Sequence, residues 1–256
     1  MLKNFIHLVL SFIAFSLAYS IAFLTEIDLV KNAVLYAFII QWILFVPAYL
    51  FKTEKFYDLS GSFTYVFVVS YILYSQFTES GLNVGNIIIG SCIIIWAVRL
   101  GTFLFFRIKK AGKDKRFDEI KTSASRFFMT WTLQGMWVSI CSACALAAIS
   151  SAKGVEINML FYIGLVCFLI GFIIEIIADN QKTKFREDPK NKDNFISSGL
   201  WAYSRHPNYL GEIVLWLGVS IMAVSSLSGP QYITLISPVF TYVLLAVSYT
   251  HLTLPT

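Results

Sequence analysis

Apolar runs of spanning length recur along this chain, near residues 5–24, 33–51, 63–78, 84–106, 128–149, 157–178, 208–227 and 231–249, and short polar loops separate them. A helix rises roughly 1.5 Å per residue, so a run of about twenty apolar residues matches the hydrocarbon thickness of a bilayer. The pattern predicts an all-α, polytopic membrane bundle of seven to eight transmembrane helices, with 63–78 the shortest. No Gly-rich or Pro-rich linker, internal repeat or low-complexity tract interrupts it, which argues against a solenoid and an inverted-repeat transporter. A single membrane domain over residues 1–249 is expected. The last residues, 250–256, look foreign to the pattern and read as a truncation or an artefact.

Composition sharpens this picture. The 256 residues are 57% hydrophobic, 16% aromatic and only 14% charged, with a mean hydropathy of +0.69, more apolar than a soluble domain can hide. The net charge of +5 does not point to nucleic acid, because the cations sit in loops between spans. Lys3, Lys52 and Lys55, the run from Arg107 to Arg126 and the run from Lys182 to Arg205 fall on one side of the bilayer. Only Lys31 and Lys153 fall on the other, and Arg99 lies within a span. The positive-inside rule then places both termini and the basic loops in the cytoplasm. The first apolar run has no small-residue cleavage site and is expected to remain as a helix. Cys92, Cys141, Cys144 and Cys167 all lie in apolar segments; Cys141 and Cys144 form a CxxC, but without a second pair or a nearby His no metal site is expected.

Ionisable groups inside a span cost about 2.5 to 3.5 kcal/mol each, so each needs a partner or a function. Arg99, Glu175 and Glu212 are the conspicuous cases, and the orientation brings all three toward cytoplasmic ends. Glu175 and Asp179 share a helix face at a spacing of four, with Arg186 two turns on as a local partner for Asp179. In GLWAYSRHPNYLGEIVLWLG, residues 199–218, His206 before Pro207 marks a helix start. Asn208 and Glu212 then lie one turn apart on one face, with Arg205 and His206 at the mouth and a helix N-terminus that favours phosphate. The mixed-sign loop KKAGKDKRFDEIK, residues 109–121, suits either a headgroup-facing helix or a ligand contact.

RHPNYLGE after GLWAYS, preceded by ADNQKTKFR, resembles the C-terminal domain of steroid 5α-reductases. With YDLSGS (57–62), WAVRLGTFLFFR (96–107), KDKRFDEIK (113–121) and LQGMW (133–137), most of the chain is similar to a bacterial membrane-protein family grouped with that domain. The RHPNY segment alone is also similar to motifs in sterol C14 reductases and in isoprenylcysteine carboxyl methyltransferases, which bind S-adenosylmethionine.

The resemblance implies a core near 96–227 in a bacterial inner membrane, facing the cytoplasm and binding NADPH without a Rossmann fold. This chain has no GxGxxG between a strand and a helix. By position it implies cofactor contacts at Glu175, Asp179, Arg186, Arg205, His206, Asn208, Tyr209 and Glu212, although Glu175 stands where the reductases carry an asparagine. Arg99 matches the family's arginine, and Trp96 stands where a tyrosine engages the substrate carbonyl. Since Trp96 cannot donate as a phenol does, either another acid serves, with Tyr57, Glu54 and Asp58 as candidates, or the substrate differs from a 3-ketosteroid. The expected reaction is reduction of a C=C bond in a lipophilic substrate, a steroid, isoprenoid or lipid enone. The alternatives are methyl transfer from S-adenosylmethionine and a non-catalytic lipid-binding role. The resemblance also calls for a further charged, aromatic C-terminal segment, and oligomeric state is left open.

Overall fold

A computed structural model describes residues 1–191 and 194–253, and for Lys115 and residues 247–253 it describes the backbone alone. Eight long helices follow in order: α1 (Leu2–Leu24), α2 (Asp28–Leu50), α3 (Tyr57–Glu79), α4 (Val84–Ala111), α5 (Ala124–Ile149), α6 (Met159–Glu187), α7 (Pro207–Val224) and α8 (Ile236–Thr253). Among the described residues there is no strand. Among the described residues, six of the helices, α1, α2, α4, α5, α6 and α7, are long and apolar enough to cross a membrane, in keeping with the expected helical membrane bundle.

Two helices depart from their expected bounds for local reasons. The helix expected at 63–78 begins at Tyr57, and its polar positions Asp58, Ser60, Ser62, Thr64 and Gln76 dilute its hydropathy. The helix expected from 231 begins at Ile236, because Gly229 (φ +49°) and Pro230 open a 3-10 turn over Gly229–Leu235 capped by Ser228. Residues 254–256 of the atypical tail lie outside the described residues.

Side chains set the helix starts. Asn83 caps α4 by accepting from the Asn86 N–H at 2.8 Å, and Asn158 caps α6 by accepting from the Phe161 N–H at 3.1 Å. His206 precedes Pro207, the first residue of α7, as the sequence predicted. At the opposite ends α4 and α6 run on to Ala111 and Glu187, past their apolar stretches, ending in lysine and arginine.

Helix α5 is the axis, buried without interruption from Val138 to Ile149, while Phe12 of α1, Ile43 of α2, and Val166 and Ile173 of α6 are exposed, as a bilayer requires. The tightest seam joins α6 to α7. A Cβ on Gly171 would stand 2.5 Å from the Gly211 carbonyl oxygen, and one on Gly218 would stand 2.6 Å from that of Gly164, so only glycine permits this approach. Helix α4 packs along α3 and reaches α6 through side chains.

Candidate functional site

Two of the three span charges that looked too costly to leave alone, Arg99 and Glu175, are joined. From α4, Arg99 places Nη1 2.9 Å from Glu175 Oε1 and Nη2 2.8 Å from Asp179 Oδ2, both on α6. Trp96, one turn earlier, donates its indole N–H to the other Glu175 oxygen at 2.9 Å. Both carboxylates are buried, so the guanidinium fork supplies the compensation that burial demands. This corrects one expectation: Asp179 pairs across to Arg99, while Arg186 is exposed near the end of α6. The helix continues as expected, but a fork on the facing helix is nearer than a side chain two turns away.

Loop 199–206 is fastened to the same stretch of α6. Trp201 donates its indole N–H to the Ala178 carbonyl at 3.0 Å, Gln181 accepts from the Leu200 N–H, and Lys182 lies 4.8 Å from the Trp201 ring centre. This brings Tyr209 and Glu212 of α7 within electrostatic reach of Asp179, and His206 within reach of Lys182 and Arg205. His206 stacks on Tyr209 with ring centres 5.1 Å apart. Its pKa lies below the ordinary histidine value, first through burial and then through the charges of Lys182 and Arg205. Arg107 and Lys182 stand within electrostatic reach of Asp179, and Arg107 and Arg116 within reach of Tyr209. The mouth is therefore ringed with cations.

Beneath it, Asn208 Oδ1 and Glu212 Oε1 are buried without a hydrogen-bond partner. Burying an oxygen unpaired costs roughly 1 to 3 kcal/mol, so such atoms mark places where a ligand completes the site. Glu212 also borders a cavity enclosed by α3, α4, α5 and α7, whose walls include Trp96, Leu100, Leu104, Trp137 and Val138. Three further partnerless polar atoms occur on residues lining it: Asp58 Oδ2, Tyr65 Oη and Gln134 Oε1.

The proposed acids separate. Tyr57 lines the cavity, but its hydroxyl donates to the Thr130 carbonyl at 3.0 Å. Glu54 does not line it; one oxygen accepts from Lys121 Nζ at 2.7 Å and the other from the Asp114 N–H at 3.1 Å, tying down loop 112–123. In that loop Arg116 grips Asp114. Burial alone would raise the Asp114 carboxyl, but the hydrogen bonds and charge of Arg116 hold it below its ordinary value. Sequence reasoning missed Tyr65 and Gln134. The available signal was a polar stripe on α3, Asp58, Ser62 and Tyr65, at helical spacing. Among the described residues no three His, Cys, Asp or Glu side chains converge as a metal ion would need, and the Cys141 and Cys144 thiols contact Thr241 Oγ1 and the Thr234 carbonyl.

Over 90 residues, 35% of this chain, the sequence is 23% identical to the probable O-methyltransferase ustE of Ustilaginoidea virens. The chain matches 32% of that curated relative, about a third of its length. No solved structure matches. Residues 44–253 match the family described as a protein of unknown function, DUF1295, a stretch that holds the Arg99 bridge, the α7 mouth and the cavity, and the chain belongs to that family.

Proposed function

We propose that this protein is a membrane-embedded, NADPH-dependent reductase of a C=C bond in a lipophilic substrate. The observation that carries the reading is the pairing of two unsatisfied acceptors, Asn208 Oδ1 and Glu212 Oε1, with the cationic mouth above them. Acceptors inside and cations outside fit a ligand that carries amide or hydroxyl donors at one end and phosphates at the other, as a nicotinamide dinucleotide does. Asn208 and Glu212 would hold the donor end, and Arg107, Lys182, Arg205 and His206 the phosphates. When bound, NADPH would supply a hydride to the electron-poor carbon of the double bond, and the adjacent carbon would take up a proton to complete the reduction. The chain orients and desolvates: the Arg99 bridge fixes α4 against α6, and the apolar cavity beside Glu212 receives the substrate from the bilayer and excludes water.

Thermal unfolding of the purified protein with NADPH, NADH or S-adenosylmethionine tests this. A ligand at about 100 times its Kd adds about 2.7 kcal/mol. Stabilisation is expected with NADPH, and Asn208→Ala and Glu212→Gln are expected to remove most of it. Unchanged NADPH binding in those variants would sink the reading. A second reading has its own support, the similarity to a probable O-methyltransferase: the same acceptors would take the ribose hydroxyls or ammonium of S-adenosylmethionine. It predicts stabilisation by that ligand and none by NADPH.

A further inference from the structure

The cations at the ends of α4 and α6 do not all turn toward the mouth. Arg107 of α4 and Lys182 of α6 both act on the buried Asp179. Lys109 and Lys184 follow two residues later on the same helices, and two residues turn a helix by about 200°, so inward and outward cations occupy opposite faces. Lys109 and Lys184 are exposed, and among the described residues neither takes part in an ion pair. The reductase reading uses the inward cations and leaves the outward pair without a role.

What the outward pair faces follows from the helix surface it ends. On α4, exposed positions that include Ile95, Val98 and Phe106 recur at steps of three or four residues from Val84 onward, and the next step after Phe106 is Lys109. On α6 the same stepping runs from Met159 through Val166 and Ile173 to Ile177, then to Asn180 and Lys184. At about 1.5 Å per residue the apolar part of the α4 stripe is roughly 33 Å long and that of α6 roughly 27 Å, each close to the hydrocarbon thickness of about 30 Å. Lys109 then lies about 5 Å beyond Phe106 and Lys184 about 10 Å beyond Ile177, and both side chains tilt back toward their helix N-termini, which is toward the membrane. That is the depth of the lipid headgroups. Glu187, three residues past Lys184, is held by Lys110 of α4 at 3.0 Å, so it ties the two helix ends together and leaves the outward lysines uncompensated.

We propose that Lys109 and Lys184 form a binding surface for anionic phospholipids in the leaflet nearest the mouth, with the lipid phosphates against the two lysines and the acyl chains along the stripes of α4 and α6. The acyl chains suit any lipid, but a zwitterionic headgroup brings its own cation to the lysines, so charge complementarity selects the anionic one. Helix α4 reaches α6 through side chains, and lipid held at both lysines adds a fastening where the two helices leave the membrane.

The full chain in neutral maltoside detergent is titrated with dioctanoyl phosphatidylglycerol or dioctanoyl phosphatidylcholine, and thermal unfolding reports binding. Each lysine is expected to favour the anionic lipid about fivefold, so the pair about 25-fold at low salt, falling toward equality near 1 M salt. Lys109→Gln combined with Lys184→Gln should bind the two lipids alike, whereas Lys109→Arg combined with Lys184→Arg should keep the preference. All of these side chains are exposed, so the variants should unfold with the unaltered protein when no lipid is present. Arg107→Gln combined with Lys182→Gln, which strips the inward faces, should also keep the preference. Equal affinity of the unaltered protein for the two lipids, or a full preference in the Lys109 and Lys184 glutamine variant, would overturn the proposal. An equal loss in both glutamine variants would overturn it too, since net charge alone would then be at work, as would displacement of the lipid by equimolar inorganic phosphate, which would assign the lysines to a soluble anion. No cofactor enters these titrations, so they stand or fall apart from NADPH binding.

Discussion

Helix α6 is held on its two sides by opposite means. Toward α7 the backbones touch through Gly164, Gly171, Gly211 and Gly218, and nothing polar crosses the seam at those positions. Toward α4 the contact is made by charged and aromatic side chains, Arg99 and Trp96 reaching Glu175 and Asp179. In lipid, apolar helices gain little from burying apolar surface against one another, so close packing of small residues and directed polar contacts are the available glues. The first makes α6 and α7 a rigid pair that fixes Asp179 relative to Asn208 and Glu212. The second leaves room between α4 and α7 for a cavity.

If the seam depends on backbone approach, a side chain there does the greatest damage. Gly211→Leu puts a Cβ 2.6 Å from the Gly171 oxygen with three more carbons behind it, and it is expected to cost about 3 kcal/mol or more and to abolish monodisperse folded protein in size-exclusion chromatography. Gly81→Leu, a position with nothing near its Cβ but a φ of +82°, serves as the control for backbone strain alone. On the other side, Arg99→Met strands two buried carboxylates and is expected to destabilise by about 3 kcal/mol in thermal unfolding. Adding Glu175→Gln and Asp179→Asn to Arg99→Met should recover most of that loss, because the cost lies in the stranded charges. An equal loss in the triple variant would mean that α4 is held by packing after all.

The two sides were unequally legible in the sequence. Arg99 and Glu175 stood out because charge in a bilayer is costly, and a sum over spans finds them without any structure. Their partners were harder: spacing along α6 suggested Asp179 with Arg186, whereas the fold supplies Arg99 from 80 residues upstream. Glycines in an apolar run carry no sign of which face they serve, so the α6 and α7 seam was unread although Gly211 lies inside the recognised RHPNYLGE segment. Helix α3 shows the same limit from the other direction. Its polar residues look like a weak span, and only the surrounding helices reveal that Asp58 and Tyr65 face a cavity. The start of α7 was legible, since a Pro at the first helical position fixes where the helix that carries Asn208 and Glu212 begins.

A smaller effect is expected where a single carboxylate ties a loop to the bundle. Glu54→Gln keeps an acceptor for the Asp114 N–H but loses the ion pair with Lys121, and it should cost about 1 kcal/mol. The readout is local: trypsin should cut between Lys113 and Lys121 faster than in the unaltered protein, while the Arg99 side of the molecule keeps its resistance. Loss of resistance throughout would show that the loop and the α4 bridge fail together.

The smallest expected effect concerns pH at the mouth, where the rigid pair meets the cationic rim. His206 lies below its ordinary value because it is partly buried and stands near Lys182 and Arg205, so the free protein holds it neutral at pH 7. A phosphate bound there offsets those charges and raises the His206 pKa, so binding takes up a proton. The sign follows: NADPH affinity should rise as pH falls from about 8 to about 6, by a few-fold at most because the ring is only partly buried. The phosphates of NADPH gain protons over part of the same range and oppose the trend, so the test is a difference. Titrations of the unaltered protein and of His206→Gln should diverge toward low pH, with the variant showing the weaker rise. Parallel curves would place the phosphates away from His206, and with them the cofactor's orientation over the α6 and α7 pair would have to be reversed.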